Sequence, residues 1–165
     1  MKNIFTLLLS LSLYQLSWAQ EERVGLGFYG NFDLERATSA GSFGIQGKYD
    51  LTNYQSVQAQ VYGHGNYVAV GADYLVSVLN KTKSNFNIFA GAGLSKEFVS
   101  YALEDEASSI KVRDDNFKGN IQAAVSYYFR PVQLSVYGGY KWHYNFTEEK
   151  INPNHIMLGV RYHLW

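Results

Sequence analysis

The side chains able to do acid–base, nucleophilic or ligand chemistry fall into three groups along this 165-residue chain. The first is Trp142-His143-Tyr144-Asn145, whose histidine can act as a general base toward a hydroxyl from Ser108 or Ser109, with His64 as a second histidine. A lone loop histidine defines no active site. The second is acidic: Glu104, Asp105, Glu106, Asp114 and Asp115 stand against Lys111 and Arg113. Carboxylates in such numbers attract divalent cations, yet the spacing lacks the Asp-x-Asp-x-Asp-Gly order of a calcium loop, and a solvated surface loop is the expectation. The third comprises Lys48, Asp73, Lys141 and Arg161, with His143, His155 and His163 nearby. Charges shielded from water need partners, so a structural network is expected first and a proton or ion path second. None of the three groups is assigned a catalytic, cofactor-binding or metal-ligating role.

The elements that position these residues come from a period of two. Along the last segment Ile156, Leu158, Val160, Tyr162 and Leu164 occupy one parity, and His155, Met157, Gly159, Arg161 and His163 the other. Successive strand side chains point to opposite faces, so this is a strand with one apolar and one polar side. Seven earlier segments repeat the pattern. Their apolar sets are Val24, Leu26, Phe28, Phe32; Phe43, Ile45, Tyr49, Leu51; Val57, Ala59, Val61; and Val68, Val70, Ala72, Tyr74, Val76. They continue with Phe86, Ile88, Ala90, Ala92, Leu94, Phe98; Phe117, Ile121, Ala123, Val125, Tyr127, Phe129; and Val132, Leu134, Val136, Tyr140, Trp142. Tyr29, Tyr62, Tyr67, Phe89, Tyr128 and Tyr137 lie on the polar parity and would fill the interior of a narrow barrel.

The connections alternate in length. Thr52-Asn53-Tyr54 and Arg130-Pro131 are short, Leu79–Asn85 is intermediate, and Leu34–Ala40, Ser100–Asn116 and Asn145–Pro153 are long. The third-to-fourth link, Gly63-His64-Gly65-Asn66, is tight although it falls on the long-loop side. Short turns on one rim and long loops on the other mark a transmembrane barrel. Charge placement agrees. Lys48, Asp73, Lys141 and Arg161 share the polar parity, and Lys96, the one charge on the apolar parity, lies near a strand end. Aromatic residues gather toward both ends of the apolar face, Tyr49, Tyr74, Phe86, Tyr127 and Phe129 at one and Phe32, Phe43, Phe98, Phe117 and Trp142 at the other, like interfacial girdles.

The N-terminus reads as an export signal. Met1-Lys2-Asn3 is a short basic start, Ile4–Leu13 an apolar run, and Ser17-Trp18-Ala19 a small-residue site with cleavage expected before Gln20. Residues 1–19 are therefore expected to be removed and 20–165 to form one barrel domain. The run is too short to span a bilayer as a helix, which takes about 20 residues. The chain has no cysteine, which excludes disulfides and thiolate metal sites, and a formal net charge of zero, which argues against a nucleic-acid partner. Fourteen tyrosines and ten phenylalanines suit strands better than helices. Mean hydropathy is slightly negative, as expected when a polar lumen offsets a lipid-facing wall.

From about Arg23 to Trp165 the chain resembles the small outer-membrane β-barrels of Gram-negative bacteria, the eight-stranded OmpA/OmpX-like type. The carriers are the signal peptide, the strand count and the ending Val160-Arg161-Tyr162-His163-Leu164-Trp165. The resemblance implies an all-β, eight-stranded, antiparallel up-and-down barrel, porin-like in wall but filled inside. It implies a monomer surrounded by outer-membrane lipid and lipopolysaccharide, and recognition by the barrel-assembly machinery through the C-terminal strand ending in Trp165. In the family the terminal aromatic is in phase with the apolar alternation; here Leu164 is in phase and Trp165 is not. The favoured role is non-catalytic, in envelope structure or surface interaction, with Ser100–Asn116 and Asn145–Asn152 as the segments that would meet a surface ligand. The alternatives are a lipid A-modifying barrel of deacylase or acyltransferase type, a small-solute channel, and a soluble lipocalin-like binder with its apolar face turned inward. A deacylase of this family places Ser two residues after the histidine, where this chain has Asn145.

Overall fold

The computed structural model describes residues 23–34, 41–65, 67–105, 108–147 and 149–164. The export segment, most of the Leu34–Ala40 link, Glu106 and Trp165 lie outside them. Eight strands follow in order: β1 (Val24–Asp33), β2 (Ser42–Asp50), β3 (Gln55–His64), β4 (Tyr67–Ser77), β5 (Phe86–Asp105), β6 (Ser108–Phe129), β7 (Leu134–Asn145) and β8 (Lys150–Leu164). Each pairs antiparallel with the next, and β8 closes on β1 through Val24–Leu164 to Asp33–His155. The result is a closed up-and-down barrel, which leaves no sheet edge open around the wall.

The alternation resolves as predicted. Gln58, Gln60 and Tyr62 of β3 are buried between exposed Val57, Ala59 and Val61, and β4 to β8 repeat the pattern. The outward wall is apolar to a degree that water would not tolerate: Phe28 is 73% exposed, Ile45 and Ile121 each 62%. A soluble barrel with its apolar parity inward is thereby ruled out. Inside, Tyr29, Tyr62, Phe89, Tyr137, Leu75 and Met157 form a buried cluster, while Tyr67 and Tyr128 are only partly buried. Tyr29 packs edge-on against Tyr62, and Phe89 against Tyr137.

Four links depart from the sequence reading. Val132 belongs not to β7 but to a 3₁₀ turn, Arg130–Val132, closed by Gln133 in the left-handed region. Leu51, assigned to the second strand, falls in the following turn, where its N–H and that of Thr52 donate to the Gln55 carbonyl. More consequential, Ser100–Asn116 is no irregular loop. β5 and β6 pair without interruption from Phe86–Tyr127 to Asp105–Ser108. Pairing of β5 with β4 stops at Tyr67–Val99, and that of β6 with β7 at Lys118–Asn145. The six rungs from Ser100–Arg113 to Asp105–Ser108 therefore rise above the wall as a two-stranded ribbon, about 20 Å long at the usual strand rise. β-branched Val99, Ile110 and Val112 and aromatic Tyr101 favour the extended backbone, which is why pairing outlasts the barrel. Likewise much of Asn145–Asn152 is strand: Tyr144 pairs with Ile151 and Asn145 with Lys150. A bulge in β8 sets His155 opposite Lys141 but Asn152 opposite His143. On the same rim β3 and β4 join tightly, His64 lying opposite Tyr67, and the φ of 54° at Gly65 suits glycine.

Candidate functional site

The polar parity of the strands lines the lumen, and its side chains assemble in layers. At the centre stand Gln60 on β3, Asp73 on β4, Gln122 on β6 and Lys141 on β7. Register brings them together: Lys141 lies opposite Gln122, and Asp73 lies opposite Gly93, where a Cβ would sit 2.0 Å from Asp73 Oδ1. A glycine at 93 therefore makes room for the carboxylate. Asp73 Oδ2 accepts from Lys141 Nζ, Gln60 Nε2 and Gln122 Nε2, each at 3.2 Å. Both charged side chains are 0% exposed. Of the three cations grouped with it in the sequence, Lys48, Lys141 and Arg161, it is Lys141 that pairs with Asp73.

Arg161 on β8 is held otherwise. Its Nη2 donates to Gln46 Oε1 at 3.3 Å and also to Gln58 Oε1. Its guanidinium lies 3.9 Å from the Tyr137 ring centroid and 5.9 Å from that of Phe89. Tyr137 Oη donates to Gln46 Oε1 at 2.9 Å. The interior is thus tied by amide side chains and tyrosine hydroxyls as much as by ion pairs, and this glutamine layer was not singled out from the sequence. Its only sequence signal was glutamine on the polar parity of β2, β3 and β6.

Toward the ribbon end, His143 and His155 meet ring to ring at 4.6 Å and 87°, and Asn31 Nδ2 lies 3.4 Å from His143 Nε2. His143 is buried in the lumen rather than displayed at the rim. The hydroxyls proposed to partner it are not brought there. Ser109 pairs with Glu104 near the ribbon tip, whereas His143 pairs with Asn120. Eleven residues of unbroken β6 separate Ser109 from Asn120, about 35 Å of strand. His64 lies on a different hairpin and is exposed. Of the acidic cluster, Asp115 pairs with Lys96 at 2.9 Å, both well exposed; the side chains of Glu104, Asp105 and Asp114 lie outside the described residues. Lys96, the charge on the apolar parity, also lies 5.1 Å from the Phe98 ring centroid.

At the short-turn end the lumen opens into a cavity of 430 Å³. Lys48 Nζ and Lys81 Nζ contact the same Asp50 Oδ1, at 2.8 and 2.6 Å. Lys81 comes from the β4–β5 link and also donates to Ser56 Oγ at 3.2 Å. Arg130 Nε donates to Asn85 Oδ1 at 2.7 Å and its Nη2 to the Thr82 carbonyl at 3.2 Å, tying two turns together. His163 Nε2 lies 2.9 Å from Ser135 Oγ, with the Tyr128 ring 4.8 Å away. Sequence reasoning passed over Asp50, Lys81 and Ser135. Parity marks Asp50 as lumenal, but no periodicity brings a loop lysine back over it.

No family model matches the chain, and no curated protein sequence matches it. Solved structures do. The N-terminal β-barrel domain of Pseudomonas aeruginosa OprF superimposes with a TM-score of 0.71 at 16% identity, covering 87% of this chain and 98% of that one. Outer membrane protein H (OprH) of P. aeruginosa gives 0.59 at 14% identity, covering 86% and 99%. Neisserial surface protein A (NspA) gives 0.54 at 18% identity, covering 86% and 95%. The chain therefore has the closed eight-stranded barrel fold of these bacterial proteins.

Proposed function

We propose that the protein is a non-catalytic barrel of the Gram-negative outer membrane, with its short turns and both ends of the barrel in the periplasm and its β5–β6 ribbon outside the cell. The observation that carries this reading is the apolar outer wall, on which the exposed Lys96–Asp115 pair stands toward the ribbon-side rim, and which ends in aromatic residues at both rims. A charge on that wall at the bilayer centre would cost about 2–4 kcal/mol. Its even number of strands puts both ends on one rim, and the likeness to outer-membrane barrels supports the same location. Lipid and lipopolysaccharide are then its surroundings, the strand ending in Trp165 its contact with the assembly machinery, and a monomer its working state.

Within that setting the role is structural or one of surface interaction. The central lumen supports this over a solute channel, because aromatic side chains and a mutually hydrogen-bonded Asp73–Lys141–glutamine layer fill it. The burial of His143 supports it over a lipid A-modifying enzyme, which needs a base at the outer rim. Lys111 and Arg113 fall in the ribbon segment, beyond the last rungs shared with β4 and β7, and are the trypsin sites there. Cells expressing the protein, treated intact with trypsin, should be nicked in the ribbon while the two fragments stay together as one barrel. That nicked barrel should resist SDS when cold and separate into two fragments on boiling. Cleavage only after the outer membrane is permeabilised would refute the orientation, and recovery of soluble periplasmic protein would refute the location.

A further inference from the structure

The cavity at the short-turn end carries positive charge that its own carboxylate does not balance. Lys48, Lys81, Arg130 and Arg161 line it, and Asp50 is the one carboxylate among its described lining residues. Lys48 and Lys81 already share that carboxylate. Arg161 is 3% exposed and lines the inner wall. Its Nη2 reaches glutamine carbonyl oxygens, its face rests on Tyr137, and its Nε has no hydrogen-bond acceptor. A guanidinium taken from water needs both a counter-charge and acceptors for its fork of donors. Among the described residues no carboxylate comes within ion-pair distance of it. The Asp73–Lys141 pair deeper in the lumen is balanced one to one and has no charge to lend.

We propose that this mouth binds a phosphate-bearing anion, held among Lys48, Lys81 and Arg130 beneath the buried Arg161 guanidinium, which lies close enough to report on it. The excess of cations suits a multiply charged oxyanion, and guanidinium geometry matches phosphate oxygens. The hydroxyls of Ser126 and Ser135 also line the cavity and add donors for it. The volume falls in the range of small-molecule sites, about 300–1,000 Å³. Two sources offer the same chemistry: free phosphate on the side to which the mouth opens, and lipid headgroups around the same rim, where Tyr49, Tyr74, Phe86 and Tyr127 occupy the outer wall.

The test uses the full chain in zwitterionic detergent micelles and follows the Arg161 Nε–Hε resonance while inorganic phosphate replaces chloride at constant ionic strength. A saturable shift is expected. K81Q/R130Q changes two residues outside the strands, so cold-SDS mobility should be unchanged while phosphate affinity falls by about tenfold or more. A shift that does not saturate, or that is equal in wild type and variant, would overturn the proposal as a bulk salt effect. Moving the protein into phosphatidylglycerol vesicles without free phosphate identifies the source. A bound-like Arg161 resonance there, absent in phosphatidylcholine, assigns lipid headgroups; its absence with a retained phosphate response assigns a soluble anion. Glu21 and Glu22 precede Arg23 in the chain, and E21Q/E22Q should leave the phosphate affinity within about twofold. A gain of about tenfold would overturn the proposal by showing that the chain's own carboxylates compensate the mouth.

Discussion

Replacing Lys141 by methionine tests the central layer of the lumen most directly. The substitution keeps the unbranched side chain up to the position of Cε and removes the charged Nζ, so packing changes little and the electrostatic consequence dominates. Asp73 Oδ2 then retains Gln60 and Gln122 as donors, each at 3.2 Å, but loses its cation. Both members of the pair are 0% exposed, so water cannot screen the orphaned carboxylate. Breaking one side of a buried pair costs about 3–5 kcal/mol, whereas replacing both sides by neutral groups of similar volume is often close to neutral. K141M should therefore lose about 3–5 kcal/mol, toward the lower end because two amide donors remain. D73N/K141M, in which the carboxamide replacing the Asp73 carboxylate can still accept from a glutamine amide, should recover more than half of that. The assay is urea unfolding in phosphatidylcholine vesicles, read by the ratio of compact to extended species on cold SDS gels. A K141M barrel within about 1 kcal/mol of wild type would refute the reasoning, since that is the value of an ion pair open to solvent. A double variant no more stable than K141M would refute it differently, by showing that Lys141 acts through packing.

What the sequence made legible was whatever follows from parity. The strand assignment, the inward Tyr29, Tyr62, Phe89 and Tyr137, and the lumenal placement of Asp73, Lys141 and Arg161 all depend on which face a side chain takes. Alternation fixes that locally. Who touches whom inside is another matter, because it depends on inter-strand register and on how far each side chain reaches. Asp73 chooses Lys141 across the barrel because Gly93 clears its path and Gln60 and Gln122 steady it, a convergence of five strands. Lys81 reaches Asp50 from a link that has no periodicity at all. Charged residues such as Glu104, Asp105, Lys111 and Arg113 made the ribbon read as a loop, although the neighbouring β-branched and aromatic residues were equally in view. On a free-standing ribbon neither face need be apolar, so the signal that separates strand from loop weakens where the barrel wall ends.

Two further predictions divide the wall from the lumen. Phe28, 73% exposed midway along β1 and paired with Ile45 and Val160, should cost about 2–4 kcal/mol when changed to lysine if lipid covers it. The same urea titration of F28K would contradict the membrane reading if stability were unchanged or improved. On the lumen side, Gly159 lies opposite Tyr137, and a Cβ there would come within 2.2 Å of Tyr137 Cε1. The phenol cannot remain in place, yet it donates to Gln46 and carries the Arg161 guanidinium on its face. G159A should therefore destabilise the barrel by about 1–3 kcal/mol, the range for overpacking a filled interior. G25A is the control in urea, since a Cβ at Gly25 meets nothing nearer than 3.8 Å and should be tolerated. Equal losses in the two variants would mean that the backbone entropy or strand geometry of glycine is being measured, and that the Tyr137 ring does not hold its place by filling the space Gly159 leaves.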